Sequence, residues 1–234
     1  SLLKYARDDD KLDYTIHQSW AKKYPQVFRN LMLISLVASG AFFLKLNTEA
    51  KITIVILAVF TAFYGYLQVP FPSKKLRLRE IGLFKTLFVG LVWSFTTVVV
   101  PFSGQHLATD TMVFLLLRRF LFILALTIPF EIKDLWIDKA AGISTLPMQI
   151  GVDKTKLLAQ GVLLLLIGIN TFQYFFFYVP LADMMAFNLS LVVSIFAIQP
   201  IKESTGDKWY YLVLDGMMLV QFLFVYAAHQ WFIA

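Results

Sequence analysis

The chain has 234 residues, 59% hydrophobic and 15% charged. A water-soluble domain of that length carries about 25% charged and 45–50% apolar residues, so the composition excludes an ordinary soluble globule and points to lipid as the solvent. The net charge of +6 does not indicate nucleic acid, because the basic residues sit in short stretches between apolar runs, where membrane topology accounts for them. Cysteine is absent, which excludes a disulfide framework, a thiol nucleophile and a thiolate metal site.

Backbone in hydrocarbon must satisfy its own polar groups. The sequence lacks the strict alternation of a membrane barrel, so its apolar stretches of about 17 to 25 residues read as helices. The fold class expected is all-α, a polytopic transmembrane bundle of about seven spanning helices in a single domain over residues 1–234. The chain opens on Ser1 without a signal-peptide pattern, as expected of a fragment.

In chain order, the N-terminal segment holds Lys4, Arg7, Lys11, Lys22 and Lys23 with the acidic run Asp8, Asp9, Asp10 and Asp13. The first span, Val27–Leu46, carries Arg29 near its start. It is separated by a turn with Lys45 and Lys51 from the second, Ile52–Val69. A loop with Lys74, Lys75, Arg77, Arg79 and Glu80 leads to the third span, Leu83–Pro101, which has Lys85 just inside it. The fourth, Met112–Phe130, contains Arg118 and Arg119. A loop with Glu131, Lys133, Asp134, Asp138, Lys139, Lys154 and Lys156 then precedes the fifth, Leu157–Tyr178. The sixth is Leu181–Ile198, and a loop with Lys202 and Lys208 joins it to the seventh, Tyr210–Phe232, which contains Asp215. Positive charge therefore gathers on one side, and the positive-inside rule places the N-terminus and the loops after the second, fourth and sixth spans in the cytoplasm. Localisation in the cell inner membrane is expected if the protein is bacterial, with the active face cytoplasmic.

Most carboxylates lie on that same side, although carboxylates contribute little to orientation. If the fourth span continues past the lipid boundary, Glu131, Asp134 and Asp138 fall at i, i+3 and i+7 on one helix face, where like charges repel. A divalent cation would offset them, since Mg²⁺ is held by one or two carboxylates and leaves positions open for substrate phosphate oxygens. A solvated helix end with Lys133 and Lys139 as partners is the other reading. Arg119 falls about 60° from Asp134 by helical phase and Arg118 about 160°, which makes Arg119 the better candidate to face the cavity, with snorkelling or a structural pair as the other reading of both. Asp215 has local pairing with a loop lysine as its expected role. Asn170, Gln173, Asn188 and Gln221 are candidates for interhelical hydrogen bonds, and Phe172 to Tyr178 for an interfacial aromatic belt.

The run Asp134-x-x-x-Asp138-Lys139-Ala-Ala-Gly142-Ile-Ser-Thr145-Leu-Pro147, followed by Ile150-Gly151, resembles the second aspartate motif of the UbiA superfamily of intramembrane prenyltransferases. That family has nine transmembrane helices with this motif after the sixth. Here it follows the fourth span, so the seven spans would correspond to helices three to nine. The loop Pro70-Phe-Pro-Ser-Lys74-Lys75-Leu-Arg77 resembles the family's basic stretch that contacts diphosphate, a role Lys and Arg suit as point charge and bidentate donor. The family's first motif, N-x-x-x-D-x-x-x-D, is matched only in part. Asp9 and Asp13 have the spacing, but Tyr5 stands where Asn belongs, and the register Ser1, Tyr5, Asp9 is no better.

What the resemblance implies is a Mg²⁺-dependent transfer of a polyprenyl group from its diphosphate to an aromatic or other hydrophobic acceptor in the lipid bilayer. Asp134 and Asp138 would be catalytic, Asp9 and Asp13 would join them on the metal, and Lys74, Lys75, Arg77 and Lys139 would bind the diphosphate. The alternative is a catalytically inactive membrane protein of the same fold that binds lipid or isoprenoid. A transporter would show broken midplane helices and an internal repeat, neither of which is visible. A phosphatidyl-type phosphotransferase would show a D-G-x-x-A-R continuation, which is absent.

Overall fold

The computed structural model describes residues 23–66, 68–70, 75–77, 82–105, 107–140, 143–177 and 179–232. The chain divides into two compact units, residues 1–46 and 47–234. In the first, α1 (Pro25–Lys45) starts on a proline, whose missing N–H costs nothing in a first helical turn, and none of its residues is buried.

The second unit contains α2 (Thr48–Tyr66), a ribbon of β1 (Gln68–Pro70) and β2 (Lys75–Arg77), α3 (Gly82–Phe102) and α4 (Thr109–Thr127). Three short helices follow, α5 (Phe130–Lys133), α6 (Leu135–Ala140) and α7 (Leu146–Ile150). Then come α8 (Val152–Phe176), α9 (Leu181–Ile198), a π-helical stretch (Trp209–Leu214) and α10 (Gly216–Phe232). Among the described residues, seven helices are long and apolar enough to cross a membrane. The fold is an all-α transmembrane bundle, and the protein is a multi-pass membrane protein.

Within the second unit each span packs on the next: α2 on α3, α3 on α4, α4 on α8, α8 on α9, and α9 on α10. The core is apolar side chains from the last four spans, with Phe122, Leu163, Leu191 and Leu214 fully buried. Large apolar side chains such as Phe196 and Leu212 stay exposed, as lipid contact allows. Polar groups inside find each other: Asn170 Nδ2 donates to Asn188 Oδ1 at 2.9 Å, and Asn188 Nδ2 to Thr171 Oγ1 at 3.1 Å. At one end, Asn47 caps α2 through the Ala50 N–H and donates to Ser103 O. Glu49 accepts the N–H of Gly104 at 2.7 Å. A glycine is required there, because φ is +80° and a Cβ would meet Asn47 Nδ2 at 2.9 Å.

The departures from the predicted spans have local causes. The second span ends as helix at Tyr66, and Gln68–Pro70 pairs antiparallel with Lys75–Arg77 instead of extending it. The fifth begins at Val152, earlier than its apolar stretch, because its first turn is charged and closed by the Lys156–Asp153 pair at 3.0 Å. Gly151, at φ +85°, turns the chain between α7 and α8. In the fourth, α4 itself stops at Thr127, two residues before Pro129, which has no N–H to donate, yet Ile128 and Pro129 keep right-handed helical dihedrals and the apolar span runs on to Lys133.

Candidate functional site

The turn at Pro129 leads into the site. Past it the chain makes two short helices, α5 and α6, with Asp134 at the turn between them. Hydrogen bonds from Asp134 N to Phe130 O and from Asp138 N to Asp134 O keep helical spacing across the turn. Glu131, Asp134 and Asp138 thus remain near one another.

The three carboxylates differ in what holds them. Glu131 is 2% exposed. One oxygen accepts the Thr86 hydroxyl from α3, and the other accepts the backbone N–H of Leu146 at 3.0 Å. Both of its oxygens are thereby engaged, and the group ties α3, α5 and the start of α7 together. Asp134 Oδ2 pairs with Lys85 Nζ of α3 at 3.0 Å, and its Oδ1 lies 3.9 Å from Lys133 Nζ. Asp138, one turn on, is held above the usual carboxylate range. Burial is the main cause, Lys85 opposes it, and Asp134 and Glu131 add repulsion. Lys85 interacts electrostatically with all three acids.

Lys133 donates to the Tyr211 hydroxyl at 2.7 Å and stands 4.5 Å from the centre of that ring. It also acts electrostatically on Asp215. Beside them Tyr210 is fully buried. Its hydroxyl has no hydrogen-bond partner among the described residues, and it lies within electrostatic reach of Asp134. The π-helical stretch sets Tyr210 and Tyr211 here, a geometry often found at functional sites.

Three acids face two lysines, so the cluster is short of positive charge. Among the described residues, no three His, Cys, Asp or Glu side chains gather so as to hold a metal ion by themselves. One or two carboxylates, as Asp134 and Asp138 could offer, are what a hard divalent cation uses when a second molecule's anionic oxygens supply its other ligands.

Of the residues singled out from sequence, Asp134 and Asp138 come together. Lys139 is exposed and lies 5.8 Å from the Trp136 ring, apart from the acids' ion pairs. Lys75 and Arg77 fall in β2, paired through the backbone with Pro70 and Gln68. Asp9, Asp13 and Lys74 lie outside the described residues. Arg119 lines a cavity within the bundle, as Arg118 does. It donates to Gln221 of α10 at 3.1 Å, and Arg118 donates to Gln173 of α8 at 3.5 Å.

Sequence reasoning missed Lys85 and Tyr210. Lys85 was visible only as topogenic charge, although a lysine one turn inside a span, where charge is expensive, already implied a partner. For Tyr210 no sequence signal existed, since it depends on the π-helical register.

The fold and the site together define a class: a multi-pass α-helical membrane protein with a carboxylate and lysine cluster at one end of its bundle. No protein-family model, curated protein or solved structure matches the chain.

Proposed function

We propose that the protein transfers a polyprenyl group from an allylic diphosphate to an aromatic or other hydrophobic acceptor within the membrane, with its active face cytoplasmic. The observation that carries this reading is the pair Asp134 and Asp138, one helical turn apart, sharing the influence of Lys85 at the end of a spanning helix. Bound Mg²⁺ would neutralise charge on the diphosphate and its leaving oxygen. Asp134 and Asp138 would hold that ion.

Lys85 and Lys133 supply fixed positive charge where the leaving group becomes more anionic, the kind of stabilisation that acts most strongly in a water-poor site. Lys74, Lys75, Arg77 and Lys139 would bind the diphosphate in this reading. The allylic carbon–oxygen bond breaks with its electron pair leaving on diphosphate. The acceptor's electron pair forms the new carbon bond, and the acceptor's proton is lost to water. Phe130 and Tyr211, already beside the cationic Lys133, present π faces of the type that steady an allylic cation.

A second reading, a lipid- or isoprenoid-binding protein of the same fold without turnover, is favoured by one feature: Lys85 already neutralises Asp134. The experiment that separates the two is diphosphate release from an allylic polyprenyl diphosphate by the full-length protein in nanodiscs, with Mg²⁺ or with chelator. Release that needs Mg²⁺ and is lost in both Asp134→Asn and Asp138→Asn supports the transferase. Binding of the diphosphate without release supports the second reading.

A further inference from the structure

Away from the carboxylates, α4 carries Arg118 and Arg119 deep within a span. Arg118 lies roughly 14 Å of helix rise beyond Thr109 and about 22 Å before Lys133, against a hydrocarbon core about 30 Å thick. Charge at such depth is expensive and normally faces a partner or a cavity.

Here both arginines line a cavity of about 110 Å³, together with Thr97, Phe102, Phe187 and Gln221. Liquid water takes about 30 Å³ per molecule, so the space suits a group of several heavy atoms. The protein supplies it with donors and few acceptors. Each guanidinium carries five N–H donors and no acceptor. Gln173 Oε1 takes one from Arg118, and Gln221 Oε1 takes one from Arg119. Phe187 offers Arg118 only its ring face, 4.0 Å away. The Gln221 amide nitrogen is itself buried, with no acceptor among the described residues.

Charge is unbalanced in the same sense. The ion pairs among the described residues involve Lys85, Lys133 and Lys156, and neither arginine. Asp183, in the first turn of α9, acts on Arg118 through space, which leaves one positive charge in excess.

We propose that Arg118, Arg119 and Gln221 form a binding site for an oxyanion, a phosphate or carboxylate group, inside the bundle and distinct from the Asp134 cluster. An acceptor-rich anion is the one guest that answers both the surplus of N–H groups and the surplus charge, and paired guanidiniums suit its geometry. The anion comes either from the headgroup of an acidic lipid or from solution. The site does not depend on prenyl transfer.

The test is thermal unfolding of the full-length protein in two arms. In neutral detergent, phosphate or acetate replaces chloride at constant ionic strength. In nanodiscs, phosphatidylglycerol replaces phosphatidylcholine. A saturable rise in melting temperature is expected in at least one arm, the first marking a soluble anion and the second a lipid headgroup. Arg119→Gln should weaken the response about tenfold, the loss of a charge-assisted bidentate contact. Gln221→Glu, nearly isosteric, should raise the melting temperature without ligand and abolish the response, because it places a carboxylate in the site. That variant keeps the test valid if Arg119→Gln fails to fold. No rise in either arm, or a rise unchanged in both variants, would overturn the proposal.

Discussion

Glu131 offers the sharpest mutational prediction, because its role separates from that of its acidic neighbours. It is almost wholly buried, and it accepts the Thr86 hydroxyl and the Leu146 backbone N–H. Glu131→Ala removes both acceptors at once. A buried donor stripped of its partner costs about 1–3 kcal/mol, so with the packing lost the total should reach about 3–5 kcal/mol. For a chain of this size that is roughly 6–20 °C in melting temperature. Glu131→Gln should behave differently, since its carbonyl can still accept from Leu146 and its amide can donate to the Thr86 oxygen. Only charge assistance is lost, about 1 kcal/mol. Thr86→Val should cost less when combined with Glu131→Ala than in the native protein, as expected of two groups that act as a pair. Thermal unfolding in detergent, followed by tryptophan fluorescence, measures all four variants. If Glu131→Ala melts with the native protein, or Glu131→Gln is as damaged as Glu131→Ala, the account of Glu131 as the tie between α3, α5 and α7 is wrong.

Two further predictions concern the neighbouring charges. Lys85 and Asp134 are both partly exposed, so a Lys85→Met and Asp134→Asn double-mutant cycle should give a stability coupling of only about 0.5–1 kcal/mol, and a coupling near zero would deny the pair. Asp138, whose carboxyl is held above its ordinary range mainly by burial, binds its proton more tightly folded than unfolded. Its stability contribution is therefore greatest below about pH 4 and falls as pH rises toward the raised value. Asp138→Asn should remove that fall, so melting curves taken across the window should show the variant gaining on the native protein with pH. The opposite trend would contradict the burial.

The spans were legible because lipid imposes a single demand, an apolar stretch long enough to cross, and Leu181–Ile198 falls where that rule puts it. What the rule missed lies where polarity and shape compete. The charged first turn of α8 is helix without being apolar, and the chain after Tyr66 leaves the helix for a ribbon while still reading as hydrophobic. At the site, the spacing of Asp134 and Asp138 was enough to pair them, because i and i+4 meet in any helical turn. Lys85 could not be joined to them from sequence, since the contact spans 49 residues. Arg119 sits with Arg118 around a cavity of its own, lined from α3, α9 and α10 and apart from the acids.

The central claim is that Asp134 and Asp138 grip a divalent cation only together with a diphosphate. Electron paramagnetic resonance of Mn²⁺, used in place of Mg²⁺ with the full-length protein and an allylic polyprenyl thiodiphosphate, reads this directly. The account predicts a bound-metal spectrum that requires the diphosphate and vanishes in Asp134→Asn and Asp138→Asn. The same spectrum persisting in both variants would contradict it.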